Sequence, residues 1–307
     1  MNTASNRWRS QMRAFNTIAK ALGAIALTAM LVVSQTASAA PDVTASLRPM
    51  ASLPRPGAMP DGSTMRRIQE RGRLIVGVSQ DKYGIGYLNP LTNELEGFDI
   101  DIAKAMARAI FGDERRIQFV AVASADRIPL IQQGRVDMVI STFTINAQRK
   151  NDINFSEVYY MAGQKILVHR DSTARSIADL SGRRICAPRG STSAKNIVTA
   201  NPQAILVETT EFTDCLVLFQ MRQVDAISTD DVILAGLARQ DPFARVVGTP
   251  FTAEPYGIGI SRDQADLVRF VNAVLVQMKS DGSWRRIYDR WFGAMGAQEP
   301  PRGTYVD

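Results

Sequence analysis

Along most of this chain, short apolar runs alternate with stretches in which apolar residues recur at helical spacing. Residues 74–78 (LIVGV) form one run and residues 117–122 another, and Val136, Met138, Val139 and Ile140 form a third; each reads as a buried strand. Between the first two, residues 97–112 set Phe98, Ile102, Met106 and Ile110 four apart, a single helical stripe with Ala103 and Ala107 beside it. Asp99 and Asp101 fall in the first turn of that helix. Being two apart they point to different sides, so the spacing favours charges that suit the helix dipole over an acid/base pair. A helix over 127–133, with Pro129 in its first turn and Gly134 at its end, leads into the third strand, and a short helix over 65–71 precedes the series. Strand and helix alternate throughout, which predicts an α/β fold with a mostly parallel sheet covered by helices on both faces.

A second alternating series follows an extended segment at 155–160 and a strand at 164–169. It comprises strand 184–187, a turn over 188–193, helix 194–199, strand 205–208, helix 214–220, strand 226–228 and a helix that Thr229, Asp230 and Asp231 open. A strand at 256–260, an amphipathic helix at 265–278 and the segment 284–292 are left over. They complete the first unit, so the chain crosses between units twice, near Gly163 and near 254–257. The expected organisation is one lobe from 64–163 and 255–307 and a second from 164–254. Trp291 and Phe292, at helical spacing with Ile287 and Tyr288, read as core packing and not as a binding platform.

The N-terminus differs in kind. Arg7, Arg9, Arg13 and Lys20 precede an apolar run over 21–33, and Ala37, Ser38 and Ala39 supply small residues for cleavage, so 1–39 reads as a signal peptide. The run falls short of the ~20 residues of a spanning helix, and an uncleaved anchor is the alternative. Residues 40–63 carry five prolines and two glycines without hydrophobic period and are expected to be a flexible tether.

Charge narrows the function. Of 36 basic residues four belong to the signal segment, and the remaining 32 stand against 30 acidic ones, a net +2. No dense basic run with interleaved aromatics follows residue 75, and Arg66, Arg67, Arg71 and Arg73 read as a solvated helix face, so nucleic acid is excluded as a partner. Cys186 and Cys215 in an exported chain suggest one disulfide, with two free buried thiols as the alternative. His169 is the sole histidine and no CxxC occurs, so neither a metal nor any other cofactor is expected.

Candidate chemistry gathers where strands end. The strand at 136–140 stops at the hydroxyls of Ser141, Thr142 and Thr144, at the edge where open α/β sheets bind ligands. Arg149, five residues on, is placed to clamp a carboxylate; taken alone it could equally be a surface arginine. The same lobe offers the turn-rich loop 79–87 with Asp81 and Lys82, and the other lobe offers Ser191 and Thr192 at a helix start and Asp230 at a strand end. Arginine, hydroxyls and amides suit an anion and Asp230 suits a cation, a combination that an α-amino acid zwitterion satisfies in a cleft between lobes.

The stretches EGFDIDIAKAMA, DMVISTFTINAQRKNDINFS, DLSGRRICAPRGSTSAKNI, VDAISTDDVILAG and WRRIYDRWFG, in this order over roughly 65–293, resemble the extracellular solute-binding proteins of family 3. These are the amino-acid-binding components of ABC importers, and the likeness is greatest to the actinobacterial glutamate-binding branch. The resemblance implies a type II periplasmic-binding-protein fold, two lobes closing on a ligand by hinge motion. It implies that Arg149 holds the α-carboxylate with Thr144 and the Thr142 backbone assisting, that Ser191 and Thr192 donate to the same group, and that Asp230 receives the α-ammonium. Lys82 or Arg189 pairing with an acidic side chain favours glutamate, with aspartate, glutamine and asparagine as related ligands; the loop residue Tyr83 is a candidate cover. The expected protein is a non-enzymatic, exported monomer in the periplasm or cell envelope, without a lipid-anchor cysteine after the apolar run, which delivers its ligand to a membrane permease. A ligand sensor for a membrane receptor, or a lyase or dehydratase on the same lobes, are the rival classes.

Overall fold

A computed structural model describes residues 42–306. The signal-peptide reading of 1–39 lies outside the described residues. Strand β1 (Ser46–Leu47) and helix α1 (Thr64–Arg71) precede β2 (Leu74–Val78), and a small antiparallel sheet follows from β3 (Asp81–Lys82), β4 (Gly86–Asn89) and β5 (Glu94–Glu96). The chain continues through α2 (Phe98–Phe111), β6 (Ile117–Ala121), α3 (Arg127–Gln132), β7 (Met138–Val139), α4 (Ala147–Asp152) and β8 (Asn154–Phe155). It leaves this lobe through β9 (Tyr160–Ala162).

The second lobe holds β10 (Gln164–His169), β11 (Arg184–Pro188), α5 (Thr192–Ala200), β12 (Ile205–Thr209), α6 (Phe212–Gln220), β13 (Ala226–Asp230), α7 (Asp231–Gln240) and β14 (Ala244–Val247). Return is through β15 (Glu254–Tyr256), which pairs antiparallel with β9, so the two crossings form one ribbon. The first lobe is then completed by β16 (Gly259–Ile260), α8 (Ala265–Ser280), α9 (Ser283–Phe292) and β17 (Tyr305–Val306).

The two large sheets share one plan, with strand order β6-β2-β7-β16-β8 in the first lobe and β12-β11-β13-β10-β14 in the second. In each, the three strands of the β-α-β series pair in parallel, while strands adjoining the crossings run antiparallel, β16 against β7 and β8, and β10 against β13 and β14. The two-lobed α/β expectation holds, with mixed sheets where mostly parallel ones were expected. Period alone does not register the difference, because a returning strand buried on both faces looks the same in either direction.

Helix α2 buries the predicted stripe, with Phe98, Ile102, Met106 and Ile110 all in the core. Its N-cap must be glycine: Gly97 has φ 134, and a Cβ there would lie 2.3 Å from the Ile85 carbonyl. Trp284, Tyr288 and Phe292 of α9 pack with Phe98 and Tyr160, and the Trp284 indole N–H donates to the Tyr159 carbonyl at 2.8 Å. Trp291 is half-buried and donates to Asp101 at 2.8 Å. The aromatic run is therefore packing, as its spacing predicts.

The segment expected to be a flexible tether is instead laid onto the first lobe. Strand β1 pairs in parallel with β17, the Ser46 hydroxyl donates to the Phe155 carbonyl at 2.7 Å, and Asn272 donates to Ser46 Oγ at 2.9 Å. Met59 is buried, and Met50 and Leu53 pack against the same core. Prolines lack an N–H to satisfy, so after β1 this stretch lies on α2 and α8 without regular structure up to α1. Its partners sit more than 200 residues away in sequence at Asn272 and Tyr305, which no local period can report.

Beneath the strap, Glu157 is fully buried, paired with Lys279 at 2.6 Å and hydrogen-bonded by the Tyr305 hydroxyl. Glu157→Ala should leave the Lys279 ammonium buried without its partner and cost about 3 kcal/mol, read as a lower midpoint in denaturant. Cys186 of β11 and Cys215 of α6 are joined by a disulfide with a sequence separation of 29. Reduction should remove about 3.5 kcal/mol and lower the melting temperature by roughly 10 °C in a domain of this size, measured by calorimetry with and without reductant.

Candidate ligand site in the interlobe cleft

The C-terminal ends of β2, β7, β11 and β13 deliver polar residues to the face between the lobes. Just past β2, Asp81 and Lys82 of β3 are both buried. The Lys82 ammonium donates to the hydroxyls of Ser141 at 3.3 Å and Thr142 at 3.0 Å and stands 5.6 Å from the Phe212 ring centroid of the other lobe. Burial lowers its pKa, against the opposing charge of Asp81. Asp81 accepts from the first-turn amides of α6, Phe212 N at 2.9 Å and Thr213 N at 3.4 Å, so a carboxylate of one lobe caps a helix of the other. Its Oδ1 is buried and has no hydrogen-bond partner among the described residues.

Arg149 lies in the first turns of α4, whose N-cap Asn146 accepts the Arg149 N–H at 2.9 Å. Its guanidinium is buried over the Phe143 ring and, among the described residues, donates only to carbonyls, Thr144 O at 2.7 Å in its own lobe and Gly190 O at 3.2 Å across the cleft. Burial brings its pKa down to about 10, while Glu254 and Asp230 oppose that fall. Gly190 has φ 74, and a Cβ would stand 2.7 Å from the Ala125 backbone, so this crossing requires glycine. The Thr144 and Thr192 hydroxyls meet at 3.4 Å, and Thr192 donates to Glu254 at 2.8 Å. A hollow of about 340 Å³ lies alongside, lined by Arg149, Gly190, Ser191 and Thr192 among others.

Ser191, expected at a helix start, stands at one. It is the N-cap of α5: its hydroxyl accepts Ala194 N–H at 3.1 Å and donates to Pro188 O at 2.7 Å, so that oxygen is engaged locally. Asp230 ends β13, is buried, and takes the Tyr256 hydroxyl at 2.5 Å on Oδ2. Its Oδ1 is buried without a partner among the described residues. Burial, and then the nearby Glu254 charge, push the Asp230 pKa up to about 7. Arg189 and Tyr83, the other selectivity candidates, are exposed, with Tyr83 edge-on to Tyr87 and under Arg239.

Four more residues join the site that sequence reasoning did not single out. Asp99 is buried beneath Thr142 and accepts its N–H, so it is more than a helix-start charge. Arg127 is buried and donates to the carbonyls of Ser124, Ser141 and Thr142. Glu254 and Tyr256 come from the crossing strand β15; Glu254 is also held by Thr252 and Asn196 at 2.8 Å each. The string EGFDIDIA places Asp99 at the second position of a helix, which by itself calls only for a charge that suits the dipole. Nothing local marked Arg127 or Glu254.

The cleft thus buries three cations, Lys82, Arg127 and Arg149, and among the described residues none forms an ion pair with a protein carboxylate. Unpaired charges out of water are costly, and a ligand carboxylate would offset that cost. A larger hollow of about 640 Å³ beside His169, Asp171 and Arg222 sits at the opposite end of β10 and gathers none of the expected residues.

Residues 74–294 match the family model described as bacterial extracellular solute-binding proteins, family 3. The ABC transporter glutamine-binding protein GlnH of Bacillus subtilis is 40% identical over 229 residues, 74% of this chain and 84% of that protein. The glutamate-binding protein GluB of Corynebacterium glutamicum is 35% identical over 230 residues, 71% of this chain and 78% of the relative. Among solved structures, an ancestral arginine-binding protein bound to glutamine superposes with a TM-score of 0.68 at 32% identity, covering 73% of this chain and 99% of that one. With the motif order, the two-lobed fold and these likenesses in agreement, the chain belongs to the bacterial extracellular solute-binding proteins of family 3.

Proposed function

We propose that this protein is the exported, monomeric binding component of an amino-acid ABC importer, and that its cleft closes on glutamine or glutamate. The observation that carries the reading is a set of buried, incompletely partnered charges facing one another across the lobes: Arg149, with only carbonyl acceptors, and Asp230, with one oxygen unpartnered. In this pose the α-carboxylate lies against Arg149 with Thr144 and Thr192, and the α-ammonium against Asp230 Oδ1. Lys82 and Asp81 then face the far end of the ligand. Lys82 alone favours the glutamate expected from the sequence. The unpartnered Asp81 Oδ1 beside it changes the balance, because an ammonium donor next to a carboxylate acceptor complements a carboxamide and repels a second carboxylate. Glutamine is therefore the first choice and glutamate the second, in keeping with relatives named for each.

The function is binding without covalent chemistry. The sole histidine lies at the far end of β10 from Gln164, which pairs with Asp230. Among the described residues no helix is long and apolar enough to cross a membrane. Delivery to a permease rests on the transporter relatives.

Calorimetric titration of residues 42–307 with the standard amino acids should find glutamine bound most tightly; binding by none of the polar amino acids would overturn the assignment. Arg149→Ala and Asp230→Asn should each weaken binding about 100-fold or more, the loss typical of truncating one partner of a buried charge pair, with the melting temperature of the free protein held. Either variant at full affinity would sink the pose. The pH dependence follows from Asp230, which must be ionised to receive an ammonium and whose pKa stands near 7. Affinity should rise with pH up to about 7 and then level off, with at most one proton released per ligand, and this dependence should vanish in Asp230→Asn.

A further inference from the structure

Thr142 has φ 43. Two other non-glycine residues among the described ones have positive φ, Asn93 and Arg222, and both are exposed. Thr142 is neither exposed nor in a turn tip: it is buried at the end of β7, within the ligand site. A β-branched residue resists the left-handed region, so the surroundings must impose that backbone. They do so from three directions. Asp99 of α2 accepts the Thr142 N–H on Oδ2 at 2.8 Å and is itself held by the Tyr159 hydroxyl on Oδ1 at 2.8 Å. Arg127 of α3 donates through Nη1 to the Ser141 carbonyl at 3.0 Å and the Thr142 carbonyl at 3.4 Å, with its Nε on Ser124 O at 3.0 Å and its Cζ 4.4 Å from the Phe143 ring centroid. Lys82 of β3 then donates to the Thr142 hydroxyl oxygen at 3.0 Å.

Two ionised side chains therefore grip opposite sides of one residue's backbone, in a place where burying either is costly. A packed apolar pair would fill the same space at lower cost, and it could not hold a peptide in a disfavoured conformation. We propose that Asp99 and Arg127 are positioning residues for the ligand site: by holding the Thr142 N–H and C=O they fix its left-handed backbone and so preset the strand end and the Lys82 ammonium that meet the ligand. The inference rests on reading the cleft as an amino-acid site. It predicts that strain at Thr142, and not a contact to the ligand, is what Asp99 and Arg127 act through.

The test is a double-mutant cycle with glycine, which adopts positive φ without penalty. L-glutamine and L-glutamate are titrated into the wild type, Asp99→Ala, Arg127→Met, Thr142→Gly and the two double variants, and each protein is also melted. Asp99→Ala and Arg127→Met should each weaken binding at least 10-fold on their own and less than 2-fold when added to Thr142→Gly. Their losses in melting temperature should shrink in the same way. Equal losses with and without Thr142→Gly would overturn the inference, since a carboxylate or guanidinium that merely filled the core, or touched the ligand directly, gains nothing from a glycine two elements away. If the wild type bound neither amino acid the functional reading would fall, and the melting cycle alone would decide whether Asp99 and Arg127 hold the strand end: shrinking losses uphold it, additive losses reject it.

Discussion

The site depends on keeping charge out of water. Lys82, Arg127 and Arg149 on one side of the ledger and Asp81, Asp99, Asp230 and Glu254 on the other are all buried where the lobes meet. A buried charge persists only if its surroundings supply hydrogen bonds or opposite charge. Much of the local structure is arranged to that end: strand ends turn carbonyls onto Arg127 and Arg149, threonine hydroxyls meet Lys82 and Glu254, and the first turn of α6 presents its amides to Asp81. The pKa displacements have the same origin, burial pushing Asp99 up to about 6 and bringing Arg127 down to about 9.

The same constraint operates between the lobes. Arg149 reaches the carbonyl of Gly190, Asp81 caps α6, and Tyr256 reaches Asp230, each contact crossing from one lobe or from the connecting ribbon to the other lobe. Glu254 and Tyr256 are part of that ribbon, so the strand about which the lobes would hinge also carries site residues. On the proposed reading, a ligand that neutralises Arg149 and Asp230 together would remove a cost specific to the arrangement in which the lobes meet, and binding energy would thereby favour domain closure. The disulfide joins β11, whose end leads to Gly190, with α6, whose start meets Asp81, and so fixes two halves of the second lobe's contribution relative to each other.

Outside the residues that match the family, the chain adds a strap to the first lobe. Strands β1 and β17 bring the segments before and after the matched region together over Glu157, and Gln298 donates to the Met161 carbonyl in β9 at 3.1 Å. The strap thereby touches the stretch that enters the ribbon, at the cost of ordering a proline-rich segment.

Much was legible from the sequence because it is local. Periodicity placed the α2 stripe and the short strands, the hydroxyls after β7 marked a strand end, and the arginine after them was singled out as a candidate anion clamp and is brought by the structure against the second lobe at Gly190. Strand direction, the ordered strap, and the roles of Asp99, Arg127 and Glu254 were not legible, since each depends on a partner in another element of the chain. Asp99 shows the division best: as the second residue of a helix its sequence position calls only for a favourable dipole, and packing alone decides that it faces inward to the amide of Thr142, 43 residues on. The sequence by itself determined which elements form and what chemistry stands at their ends. Tertiary structure decided which of those ends share a cleft, because burial and electrostatic partnership are properties of contacts between elements and no single element carries them.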